Sequence, residues 1–129
     1  MKALDILKAM IPDEGLKMKI VNQYDDFSPS QKLAIDHLAW STFYNLYNET
    51  LEENLGIQYQ NVKKGTDKFG GDFYRRALEK TDNYMINEFQ EALTKADISI
   101  ARTAIEQIMQ EIDASKKAAQ KLKPKKHSN

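Results

Sequence analysis

Apolar residues recur at helical spacing along most of this chain, and the polar breaks between those stretches carry most of its Gly and Pro. The longest such stretch runs from Ser28 to Leu55. It opens on Ser28-Pro29-Ser30-Gln31, where the Ser28 hydroxyl can accept from the Gln31 N–H, Gln31 can reach back to the Ser28 N–H, and Pro29 stands at a first helical position that needs no donor. Neither Pro nor Gly recurs before Gly56, which suits a left-handed C-terminal cap. The pattern predicts a helix roughly 40 Å long at about 1.5 Å per residue. Leu33, Trp40, Tyr44, Tyr47, Leu51 and Leu55 form its expected inner stripe, and Ile35, Leu38, Phe43 and Leu46 widen it until the upper half is apolar nearly all round. Such a helix is expected at the centre of a bundle.

Shorter periodic stretches flank it. Leu4, Leu7 and Ile11 mark one amphipathic helix, ended by Pro12. Leu16, Ile20, Val21 and Tyr24 mark a second, with Asp13 and Glu14 in its first turn. After Gly56 the chain loses regularity; Ile57–Val62 alternates briefly with period two, and Gly65, Gly70 and Gly71 predict a loop over about 56–71. Asp72 is placed to cap a helix over about 73–93, and Asp97 one over about 98–123. The last helix has the cleanest stripe, Ile98, Ala101, Ile105, Ile108, Ile112, Ser115, Ala119 and Leu122, and Pro124 stops it. The short turn between these two helices predicts an antiparallel pair. The expected fold is therefore all-α: a single-domain bundle of four to five helices around the long helix, occupying 1–115, followed over 116–129 by a Lys-rich helix end and flexible tail.

Composition narrows the chemistry. With no Cys, disulfides, thiolate metal sites and cysteine nucleophiles are excluded. No apolar run approaches the ~20 residues that cross a bilayer, and Asp5 and Lys8 interrupt the N-terminal apolar residues, unlike a secretory signal; a cytoplasmic location is expected. The zero net charge conceals an asymmetry. Residues 1–56 carry five Lys against nine acids and residues 57–115 eight basic residues against ten acids, whereas the last fourteen carry six Lys and no acid.

No catalytic constellation stands out, and neither a metal site nor a cofactor is expected. Glu52 and Glu53 are adjacent and so point about 100° apart on a helix. His37, on the apolar front, lacks the Glu-x-x-His pairs of a di-iron bundle and reads as a core or core-edge histidine. Trp40, Phe43, Tyr44 and Tyr47 read first as core packing, and alternatively, with His37, as the wall of a ligand pocket or a partner-binding face. Gly65–Gly71 has the glycines of a phosphate loop but neither the Gly-Lys-Ser/Thr ending nor a preceding buried strand. Lys63, Lys64, Arg75 and Arg76 around that loop, and Lys116, Lys117, Lys121, Lys123, Lys125 and Lys126 at the end of the chain, are the candidate phosphate or nucleic-acid contacts.

The sequence thus predicts a small non-catalytic helical protein, first of all a protein–protein interaction or accessory module with a protein partner or a second copy of itself. The alternatives are a nucleic-acid or ribosome-associated accessory protein that uses the Lys-rich tail, and a small-molecule binder with a pocket near Trp40 and Tyr44.

Overall fold

The Ser28 start signal forms as its chemistry dictates. The Gln31 N–H donates to Ser28 Oγ at 3.2 Å, and the Ser28 N–H donates to Gln31 Oε1 at 2.9 Å. The computed structural model describes residues 1–122 of the chain, and over these it is all-α. The helices are α1 (Ala3–Met10), α2 (Glu14–Gln23), α3 (Pro29–Lys63), α4 (Phe73–Asn87), α5 (Phe89–Lys95) and α6 (Ser99–Leu122), with a single 3-10 turn at Tyr24–Asp26.

Two boundaries differ from expectation. α3 does not end at Gly56 but continues to Lys63, absorbing the alternating Ile57–Val62 segment and leaving a shorter loop than expected. A single interior Gly costs a helix only about 1 kcal/mol relative to Ala. Packing in the next turn outweighs that cost: Gln58 is buried and donates to the Phe73 carbonyl at 2.9 Å. A Cβ built on Gly56 meets nothing within 4 Å. Gly56→Ala is therefore expected to raise stability by about 0.5–1 kcal/mol, seen as a higher urea midpoint; a lower midpoint would show that the position is not an ordinary helix site. The second difference is a break at Glu88, which divides the expected 73–93 helix into α4 and α5. No Gly or Pro marks it. Beyond the break Phe89, Ala92 and Leu93 are all buried.

The chain forms two compact units, Met1–Leu38 with the chain from Ser99 onward, and Ala39–Ile98. In the first, Ile6, Leu7 and Met10 of α1, Ile20 of α2, Ile35 of α3, and Ile105, Met109 and Ile112 of α6 are buried. Polar ties join the same elements. Arg102 Nε donates to the Met10 carbonyl at 2.7 Å, satisfying an orphan acceptor at the end of α1. Lys19 pairs with Asp113, and Tyr24 Oη donates to Asp36 Oδ1 at 2.7 Å. Burial and that carboxylate push the Tyr24 hydroxyl up to about 12.

In the second unit α3 meets α4 and α5. The buried residues of α3 here are Ala39, Thr42, Leu46, Asn54 and Gln58, and those of α4 are Ala77, Thr81 and Met85. The lower part of this seam is polar inside. Asn54 Nδ2 donates to Thr81 Oγ1 at 3.0 Å, and the Thr81 hydroxyl donates to the Ala77 carbonyl at 2.8 Å. The inner face of α3 is thus turned by about one residue from the stripe its apolar pattern suggests. Leu33 and Tyr44, both expected inside, are 72% and 56% exposed.

Candidate interaction site

The end of α3, the loop after it and the start of α4 make the most strongly built surface feature. α3 closes on paired backbone bonds: the Thr66 N–H donates to the Asn61 carbonyl at 2.9 Å and the Gly65 N–H to the Val62 carbonyl at 3.0 Å. Gly65 stands at φ +79°, the left-handed conformation this cap requires. The true cap glycine lies nine positions beyond Gly56.

The loop is then tied to α4. Asp67 accepts from both Arg76 Nη atoms at 3.1 Å, a bidentate pair, and its Oδ1 also accepts from the Lys68 N–H at 2.7 Å. Asp72 stands before α4 but does not cap it with its side chain; its carboxylate lies 3.3 Å from Arg76 Nε instead. The Arg76 hydrogen bonds and the Lys68 N–H hold the Asp67 carboxyl below its ordinary range. A carboxyl lowered in the folded state contributes stability above its unfolded pKa and loses it as pH falls through the folded value. The loop is therefore expected to stay ordered from neutral to mildly acidic pH and to loosen only in strong acid. Asp67→Asn should loosen it already at neutral pH, read as a fall in the heteronuclear NOE of residues 65–70; an unchanged NOE would rule out this tether.

On this frame three rings stand in a row. Tyr59 and Phe69 have centroids 5.6 Å apart, and Phe69 and Phe73 4.9 Å. Lys63 Nζ lies 5.4 Å from the Tyr59 centroid, and the Arg76 guanidinium carbon 5.9 Å from that of Phe73. Tyr59 is 49% exposed and Phe69 62%. Neighbouring Tyr74 is exposed as well. Lys63, Lys64, Lys68 and Arg75 are all exposed, and none of the ion pairs among the described residues involves Lys63, Lys64 or Lys68. Arg75 stands 3.7 Å from Glu79. Of the four basic residues expected around the loop, Arg76 is thus a structural tether, and the other three face solvent.

The remaining candidates fall elsewhere. His37 is exposed, which corrects its expected place in the core or at the core edge. Trp40 stacks on Tyr44 at 5.8 Å and meets Phe43 edge-on at 5.8 Å, and Phe43 reaches Phe89 at 5.5 Å. This cluster is only partly core, since Trp40 is half-buried and Tyr44 exposed. Tyr47 Oη donates to Asp82 Oδ1 at 2.5 Å; that carboxylate, with burial, pushes the hydroxyl up to about 12. Lys116, Lys117 and Lys121 are exposed along the end of α6, and Lys116 Nζ donates to Gln23 Oε1 at 3.4 Å. Lys123, Lys125 and Lys126 lie outside the described residues.

A cavity of about 290 Å³ opens beside α3, lined by residues that include Glu49, Glu53, Lys80, Tyr84 and Lys95; Trp40 and Tyr44 are not on its wall. Lys95 pairs with Glu91 at 2.8 Å. No group of three or more His, Asp or Glu among the described residues is placed to share a metal ion. No helix among them is long and apolar enough to cross a membrane.

The three rings escaped the sequence pattern because Phe69 belongs to no periodic stretch, and Tyr59 and Phe73 meet it only through the fold of the loop. The usable signal was Phe69 between Lys68 and Gly70, an aromatic with no helical stripe to join. The class these features define is an all-α helical protein with an aromatic and basic surface at one helix–loop–helix end. No protein-family model, curated protein or solved structure matches the chain.

Proposed function

We propose that this protein is a small non-catalytic interaction or accessory module that engages a macromolecular partner through the face carrying Tyr59, Phe69, Lys63, Lys64 and Lys68. The observation that carries this is the exposure of Tyr59 in the last turns of α3 and of Phe69 on the following loop, which a glycine cap and a bidentate Asp67–Arg76 pair hold. Leaving large rings in water gains a folded chain nothing, whereas a helix end and a tethered loop that present them lower the ordering cost of binding.

A photo-crosslinking residue at position 69, and at exposed Glu106 as a control, tests this in native lysate. The expected result is a discrete adduct from position 69 alone, weakened by Tyr59→Ser. The adduct mass distinguishes a protein, a second copy of this chain and nucleic acid. Identical adducts from both positions would sink the proposal.

A further inference from the structure

We infer that the partner of this face is single-stranded nucleic acid, with bases stacking on Tyr59 and Phe69 and phosphates meeting Lys63, Lys64 and Lys68. This rests on the interaction face proposed above and names its occupant. Two features select that chemistry. From Tyr59 to Arg76 the chain carries five basic residues against two acidic ones, and both acids, Asp67 and Asp72, are engaged by Arg76. The three Lys are left for an anion outside the protein. The rings are the second feature. An acidic peptide satisfies the lysines but leaves the faces of Tyr59 and Phe69 wet, whereas every nucleobase has a π-face to cover them.

The spacing fits a polymer that alternates rings and charges. Tyr59 and Lys63 stand one turn apart on α3, with Lys63 already against the Tyr59 ring, while Lys68 and Phe69 are consecutive in the loop. Tyr59 therefore has a cation against its ring, and Phe69 has one next to it in the chain. A duplex hides its base faces, so it should bind only through charge. Recognition is expected to tolerate any sequence, because stacking on a ring and charge contact with a phosphate are open to every nucleotide.

Fluorescence anisotropy on the full chain tests this with labelled oligouridylate and oligothymidylate of about 12 nucleotides, a duplex of the same length, and oligoglutamate, at about 50 and about 200 mM salt. The expected result is single-strand binding at least about tenfold tighter than duplex or oligoglutamate binding. Phe69→Leu, which keeps an apolar side chain at an exposed site, should weaken it by about tenfold or more. Lys63→Gln with Lys64→Gln should reduce the slope of log affinity against log salt by about 1.4, at about 0.7 per phosphate contact. No single-strand binding at the lower salt overturns the inference; an adduct specific to position 69 in lysate then still supports the interaction face. Single-strand binding that Phe69→Leu leaves unchanged also overturns it, by moving the contact to the lysines of α6 and the end of the chain. So does oligoglutamate binding as tightly as the single strands.

Discussion

Ile35→Ala is expected to cost about 2–5 kcal/mol of folding stability, while Leu33→Ala, two residues earlier in the same helix, changes it by less than about 0.5 kcal/mol. Ile35 is 0% exposed, and its truncation removes buried methyl groups and leaves a void that the packed surroundings fill only partly. Leu33 is solvated before and after the change. Two residues on a helix are separated by about 200°, so the two side chains cannot share a face. Urea unfolding followed by circular dichroism checks the pair. Equal losses from the two variants would mean that the inner face of α3 has been placed wrongly.

Thr81→Val is expected to cost about 1–3 kcal/mol although it conserves shape. Thr81 is 0% exposed; its hydroxyl accepts from Asn54 Nδ2 and donates to the Ala77 carbonyl. Valine fills the space but leaves the Asn54 amide facing a methyl group in a buried seam. That desolvated donor, and not the loss of one hydrogen bond, sets the magnitude. The double variant Asn54→Ala with Thr81→Val should cost less than the sum of the single changes, because it removes donor and acceptor together. Strict additivity in that cycle would show that the two side chains are not coupled.

These two expectations separate what the residues announce from what they conceal. The Ser28–Gln31 capping box was legible because it is local: four consecutive residues hold every donor and acceptor it needs. The stripe of α6 was legible down to Ile112 because polar residues mostly bound it, and Ile105 and Ile112 are buried as expected, as is Ile98 just before the helix. The helix end at Gly56 was misplaced, and the break at Glu88 was not foreseen. In both regions local propensity is weak, and Gln58 in one and Phe89 in the other are decided by packing.

The inner face of α3 was misplaced for a different reason. Its upper half is apolar nearly all round, so hydrophobicity alone did not select a direction. In its lower half the residues that point inward are Asn54 and Gln58, polar side chains that any pattern assigns to water. They are stable inside because Thr81 and the Phe73 carbonyl wait across the seam. Such partners stand 27 and 15 residues away, beyond the reach of helical periodicity.

The candidate face divides in the same way. Its charges were visible in the sequence as Lys63, Lys64, Arg75 and Arg76, but their roles were not. Only the folded loop gives Arg76 to Asp67 and leaves the lysines to solvent, because a bidentate pair needs two side chains nine residues apart to meet at hydrogen-bond distance. Tyr59, Phe69 and Phe73 become one surface for the same reason: a helix end, a left-handed glycine and a returning helix set successive ring centroids 5.6 and 4.9 Å apart. By itself the sequence determined an all-α chain with a long capped helix, no cysteine chemistry and a basic end, since each follows from composition or from contacts within a few residues. Tertiary structure alone decided which side of α3 is the inside, where that helix stops and which aromatics meet the solvent, because those outcomes depend on partners that the chain brings together only by folding.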